Sequence, residues 1–250
     1  MRPPINILVG HDCTNTPHYI NFHESSHVVI AGCTGTGKST FLCSMMDEII
    51  KAYPKDRVKF VLIDPKRSGF SGDENPQNLL KPTITISRMA VETITELRDE
   101  MERRYDYLIA NKVQSIQEYH SEILDKYTGP IENAPETMPF IFIMVDEFSD
   151  LMYQHGEEVE KSLIPLMQIS RRVGIYTILS TSRPSESVFT NSILNNATGC
   201  IAFQLASTED SERFLGGSGA ENLNGAGDML FWTYEANSTV RLQGIKRDLS

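Results

Sequence analysis

The run Gly32-Cys33-Thr34-Gly35-Thr36-Gly37-Lys38-Ser39 constrains this chain more than any other feature. It fits GxxxxGK[ST] in full, the spacing of a loop whose backbone N–H groups wrap phosphates. Such a loop sits between a strand and a helix, and the sequence supplies both. Val28 to Ala31 is a short buried strand. Phe41, Leu42, Met45, Met46, Ile49 and Ile50 then recur at helical spacing until Pro54. The positive end of that helix would face the same phosphates. The expected nucleotide-binding set is Gly32, Cys33, Thr34, Gly35, Thr36, Gly37, Lys38, Ser39 and Thr40. Lys38 would reach the β- and γ-phosphates of ATP, and Ser39 would hold Mg²⁺.

A second signal lies downstream. Phe140 to Val145 is a continuous apolar run ending in Asp146-Glu147. It reads as a central strand buried on both faces. Taken alone, two acids after a core strand are as easily a solvated turn. Beside a phosphate loop they read as a Walker B pair, with Asp146 on the Mg²⁺ and Glu147 orienting the water that attacks the γ-phosphate. No acceptor-site motif of the kind a kinase needs is visible, so hydrolysis is expected. Lys38, Ser39, Asp146 and Glu147 are expected at the ends of adjacent strands.

Further strands are expected at Ile5–Val9, His18–Phe22, Val58–Ile63, Ile175–Leu179 and Cys200–Gln204, with a closing hairpin of Met229–Tyr234 and Thr239–Gly244. A polar loop holding Gly69, Gly72 and Pro76 precedes a long helix from about Met89 to Ala110. A shorter helix spans Ile116–Leu124, and Gly129–Pro139 is a Pro-rich loop. Strands alternating with helices indicate an α/β sandwich on a largely parallel sheet. The chain has 250 residues, 40% of them hydrophobic, enough for one sizeable core. No apolar run approaches the roughly 20 residues a membrane span needs, and the start, Met-Arg-Pro-Pro, leads into no signal-peptide core. The expected location is cytoplasmic, with no membrane contact from this chain itself. A net charge of −10 excludes a broad basic face for nucleic acid; a local basic lining inside an acidic assembly remains compatible with it. Cys13, Cys33, Cys43 and Cys200 form no CxxC pair and read as reduced thiols.

Six segments, in order along the chain, resemble the FtsK/SpoIIIE motor ATPases. Ile63-Asp64-Pro65-Lys66 is similar to that family's IDPK, and Met101-Glu102-Arg103-Arg104-Tyr105 to its MERRY helix. Val145 to Met152 resembles IDEFADLM, Arg171 to Ile175 RAAGI, and Thr181 to Ser185 TQRPS. Gly219-Ala220-Glu221 followed by Gly225 to Leu230 resembles GAE…GxGDML. The resemblance implies a RecA-like P-loop NTPase fold, a mostly parallel central sheet flanked by helices. It divides the chain into a short N-terminal β lead-in (1–27) and a motor domain (28–250). It implies an ATPase that moves double-stranded DNA through a homo-oligomeric ring, a hexamer, with each ATP at a subunit interface. Arg171 holds the place of the arginine that completes hydrolysis in the neighbour. Thr181 and Ser182 hold the place of a nucleotide sensor, although the family's usual Gln is replaced by Ser182. The chain would be either a minimal stand-alone motor or an excised motor domain. The alternative is the ATPase motor of a type VII-like secretion system, a fold relative that tolerates the acidic charge.

Weaker signals read blandly. His11, His18, His23 and His27, four of the six histidines, match no zinc spacing and suggest a polar surface hairpin. Cys33 reads as a small tolerated side chain in the phosphate loop, and the Met-rich helix as core packing. Asp64 and Lys66 are equally a turn around Pro65 or a nucleotide- or interface-linked pair. Arg103 and Arg104 either form intersubunit salt bridges or decorate a solvated helix face.

Overall fold

The computed structural model describes residues 6–54, 56–67, 69–70, 76–233 and 238–246. Its strands are β1 (Asn6–His11), β2 (Pro17–Asn21), β3 (His27–Ala31), β4 (Val58–Ile63), β5 (Phe140–Val145), β6 (Ile175–Thr181), β7 (Gly199–Phe203), β8 (Asp228–Thr233) and β9 (Ser238–Gly244). The helices are α1 (Lys38–Ala52), α2 (Ser87–Ala110), α3 (Ile116–Tyr119), α4 (Phe148–Ile169), α5 (Asn191–Asn196) and α6 (Thr208–Leu215).

All nine strands join one sheet in the order β2-β1-β9-β8-β7-β3-β6-β5-β4. From β7 to β4 the pairings are parallel; from β7 to β2 they are antiparallel. Parallel strands need crossovers, and their helices cover both faces. Accordingly β3, β5, β6 and β7 are buried at every position. The fold is RecA-like α/β, as the resemblance implies, and β1 and β2 extend the same sheet beyond β9.

Aromatic side chains fix α1 to the sheet. Tyr53, just past the end of α1, lies with its ring 5.0 Å from Phe140, and Phe22 meets Phe142 edge-on at 5.0 Å. Tyr176 and Phe60 complete the cluster against Phe142. Burying each such ring contributes about 1.5–3 kcal/mol. With its far end held, α1 keeps its N-terminus aimed at the phosphate loop.

Several sequence expectations are corrected. Strand β1 runs on to His11; Ile5, Gly72 and Tyr234 lie outside the described residues. The expected 116–124 helix is one α turn capped by Ser115, followed by a wider-turned stretch at His120–Leu124. The 129–139 loop contains a 3₁₀ turn at Ile131–Asn133. Helices α4, α5 and α6 are additional to the elements expected from the sequence. Gly156 and Pro165 punctuate α4 as a breaker pattern, yet Leu151, Met152, Val159, Leu163 and Leu166 face the core at helical spacing. The α4 helix bends at His155, whose φ/ψ of −142/27 is non-helical.

The histidines do not all sit on a polar hairpin. His27 is buried with Nδ1 2.9 Å from Thr177 Oγ1, and His23 is half-buried with Nδ1 3.0 Å from Tyr176 Oη. Burial pulls both imidazoles below their ordinary range, His27 to about 3. The sheet's register carries them inward because both belong to the chain that enters β3.

Arg104 is neither a surface nor an intersubunit residue. It is 2% exposed, and its Nη1 donates to the carbonyls of Pro139 (2.7 Å) and Val173 (3.1 Å), while Nε donates to Glu100 (2.8 Å). It clamps the starts of β5 and β6 to α2. Arg103 stays exposed and pairs with Glu100 and Glu136. Replacing Arg104 with Met removes the donor from two carbonyls in a buried position, and is expected to cost about 3 kcal/mol. Urea unfolding would show a lower midpoint at unchanged slope; a loss under about 1 kcal/mol would refute the clamp.

Candidate nucleotide site

The phosphate loop leaves β3 at Ala31 and is tied down at once. Gly32 N donates to Thr181 O (3.3 Å) and Cys33 N to Gln204 O (2.7 Å), so the ends of β6 and β7 hold its entry. Inside the loop, Thr36 Oγ1 and Lys38 Nζ both donate to Cys33 O, at 2.8 and 3.0 Å. Gly37 caps α1 at φ +111, a conformation open chiefly to glycine. A Cβ there would stand 3.1 Å from Gly227 N, which itself donates to Thr36 O at 3.0 Å. The Gly225–Gly227 turn therefore underlies the loop, which gives that motif a structural reason. Thr34, Gly35 and Thr40 are exposed at the mouth.

Facing the loop are the two acids. Ser39 Oγ donates to Asp146 Oδ2 at 2.8 Å, a hydroxyl and carboxylate pair of hard oxygens that suits Mg²⁺. Burial raises the Asp146 pKa, opposed by the Ser39 hydrogen bond and aided by nearby Asp64. Burial likewise lowers the Lys38 pKa, while Glu147 and Asp146 push it back up. Both shifts say that this cation and these carboxylates share one poorly solvated space.

Glu147 is buried, in the left-handed region at φ 60, ψ 59, at the start of α4. A non-glycine residue there is strained, and such strain concentrates at functional sites. Its Oε1 accepts from Ser149 Oγ (2.6 Å), Thr181 Oγ1 (3.1 Å) and Ser182 N (3.0 Å); its Oε2 lies 3.0 Å from Lys66 Nζ. The Ser182 hydroxyl straddles both oxygens at 2.9 and 2.8 Å. Burial alone would raise this carboxyl, but Ser149, Ser182 and Lys66 outweigh it and bring it down to about 2. It is ionised at neutral pH.

The expectation that the phosphate-loop and acidic strands are neighbours is incorrect. Strand β6 lies between β3 and β5, which is why its end, Thr181–Ser182, reaches Glu147 directly. The short Ser182 side chain makes direct contact with Glu147. Lys66 and Asp64 also belong to the site. Asp64 is buried, and its Oδ2 accepts from Gly69 N (2.8 Å) and Phe70 N (3.3 Å), which curls the segment after β4 back toward Asp146. Ser149 is a further contact whose only sequence signal is its place two residues after Glu147.

Arg171 is not brought together with these residues. It is exposed on a 3₁₀ turn (Ser170–Val173) just before β6, at the opposite end of the sheet. Seven residues of β6 put about 20 Å between the two ends. Gly174 closes this turn at φ +73, where a Cβ would meet Ile116 Cδ1 and Phe140 Cδ1 at 2.8 Å each. The backbone at Arg171 is thus fixed by a tightly packed turn, out of reach of its own chain's phosphate loop.

The chain is similar to known proteins along nearly its whole length. The DNA translocase FtsK of Treponema pallidum is 37% identical over 243 residues, 97% of this chain and 30% of that protein. Its Staphylococcus epidermidis counterpart is 35% identical over 240 residues, 96% of this chain and again 30% of the relative. The chain thus spans about 30% of the length of these curated relatives. Among solved structures, the pCW3 conjugation coupling protein TcpA, a monomer form with ATPγS, superposes with a TM-score of 0.82 at 25% identity, covering 99% of this chain and 68% of that one. The cytoplasmic domain of the Thermomonospora curvata type VII secretion ATPase EccC gives 0.84 at 22% identity, covering 100% and 29%, a likeness of fold. The sequence model of the FtsK/SpoIIIE family matches residues 1–186, and the chain belongs to that family.

Proposed function

We propose that this chain is an ATP-hydrolysing motor that drives double-stranded DNA through a cytoplasmic ring of identical subunits, six in number. The observation that carries the reading is the division of the site. Lys38, Ser39, Asp146, Glu147, Thr181 and Ser182 converge at one end of the sheet, and Arg171 is held at the other. One chain has what it needs to bind MgATP and to orient water. Arg171, the cation assigned to the transition state, would come from a second chain.

In this reading the Gly32–Ser39 backbone and the α1 N-terminus bind the phosphates, and Lys38 draws charge from the β- and γ-phosphates. Ser39 and Asp146 would hold Mg²⁺, which supplies charge neutralisation on the phosphate oxygens. Glu147 orients the attacking water and accepts its proton; Thr181 and Ser182 set the carboxylate's position. Arg171 of a neighbouring subunit offsets charge developing on the transferred group.

DNA as cargo is supported by the relatives named DNA translocase FtsK, and a ring relaxes the need for a basic outer face. Contacts would be chiefly to phosphates, hence tolerant of sequence. Purified chain at ring-forming concentrations should show ATPase stimulated by duplexes of unrelated sequence, with stimulation fading as salt rises. Assembly is followed alongside by light scattering. The secretion-motor alternative, which tolerates the −10 charge, predicts stimulation by an exported polypeptide. An assembled ring indifferent to DNA at low salt would reject the DNA reading.

A further inference from the structure

We propose that Lys66 is a latch on Glu147: in the resting chain it occupies the acceptor position that the attacking water needs, and turnover requires it to withdraw. This rests on the hydrolytic role proposed for Glu147.

An ionised carboxylate offers about four lone-pair positions. Five donor groups converge on Glu147: the hydroxyls of Ser149, Thr181 and Ser182, the Ser182 N–H, and Lys66 Nζ. A water-orienting base must lie within hydrogen-bond reach of the water it orients, and here the positions are filled. The donors are not equally movable. Ser149 and Thr181 are buried, and the Ser182 N–H belongs to the backbone at the end of β6. Lys66 alone among these five sits on a long flexible stem, with its side chain 49% exposed. Its withdrawal disturbs nothing in the core.

The backbone places Lys66 for this task. Asp64 pins the segment through Gly69 and Phe70, and Arg67, next to Lys66, adopts φ +55 in a tight turn whose N–H returns to Asp64 O at 3.2 Å. Lys66 also lies near enough to Lys38 to repel it electrostatically, so it stands beside the phosphate pocket. A nucleotide's terminal phosphate there is a competing anion. It competes with Glu147 Oε2 for Lys66, and in the minority of nucleotide-bound chains where Lys66 leaves the carboxylate the vacated position admits water. The latch thereby restrains Glu147 in most chains even with nucleotide bound, and it makes the basal rate lower than the site could support.

The test compares Lys66→Met and Lys66→Arg with the parent, each also carrying Glu147→Gln. Measured are kcat and KM for ATP without DNA, and the Kd of a fluorescent nucleotide. Losing a half-exposed ion pair of this kind shifts an equilibrium by roughly fivefold. Lys66→Met should therefore raise basal kcat about fivefold, with KM and nucleotide Kd unchanged. Lys66→Arg, which keeps a cation within reach, should restore the low rate. A kcat in Lys66→Met that is unchanged or lower, while Glu147→Gln alone abolishes turnover, overturns the latch and leaves the role of Glu147 standing. If Lys66→Met with Glu147→Gln hydrolyses as fast as Lys66→Met alone, the role of Glu147 falls and the latch falls with it.

Discussion

Glu147→Gln is expected to bind ATP as tightly as the parent and to hydrolyse it about 10³-fold more slowly. The amide keeps the shape of the side chain, and its carbonyl can still accept from Ser149, Thr181 and the Ser182 N–H, which now meet Oε1 of the carboxylate. The strained backbone at φ 60 is unaffected. What is lost is the negative charge that polarises water and takes its proton. Binding lies elsewhere, in the loop from Gly32 to Ser39 and the α1 N-terminus. Nucleotide affinity and single-turnover hydrolysis, measured separately, distinguish the two. Turnover within tenfold of the parent would remove Glu147 from the reaction.

Much of this site is legible in the sequence, for a physical reason. Phosphate binding by backbone N–H groups demands glycines at fixed spacing, so Gly32 to Ser39 is visible as a pattern. The strand before Asp146 must be buried on both faces, so it shows as an unbroken apolar run. What is not legible depends on tertiary neighbours. The insertion of β6 between β3 and β5 is a matter of crossover order, which no local pattern encodes. The Lys66–Glu147 pair joins residues 81 positions apart by number, and Pro65 alone gives the bland reading of a turn. Arg104 looks like a solvated charge because Arg103 beside it is one; only the approach of Pro139 and Val173 turns it inward. Helix α4 is obscured by Gly156 and Pro165, two residues that packing against α2 and β6 overrides. Short α6 does carry a signal, since Ser207 caps it by accepting from Asp210 N at 3.2 Å.

The second large effect is expected at Arg171. Arg171→Ala should assemble and bind ATP normally, because the side chain is exposed and lies at the far end of the sheet from its own phosphate loop. Hydrolysis should fall about 10³-fold or more, as for removal of an arginine that meets the transferred phosphoryl group from another chain. The exposed neighbour Arg172 on the same turn is the control, since it lies off the position that the family resemblance assigns. Full activity in Arg171→Ala alone would reject the assignment.

The division of the site between subunits is tested most directly by mixing two dead chains. Lys38→Ala lacks the cation that grips the phosphates but keeps Arg171; Arg171→Ala keeps the entire phosphate loop. In mixed rings some interfaces pair an intact loop with an intact arginine. Steady-state ATP hydrolysis of the equimolar mixture, with co-assembly verified by cross-linking, should exceed the sum of the two separate activities many-fold. A mixture no more active than its components, despite verified mixed rings, would contradict a site shared between neighbouring chains.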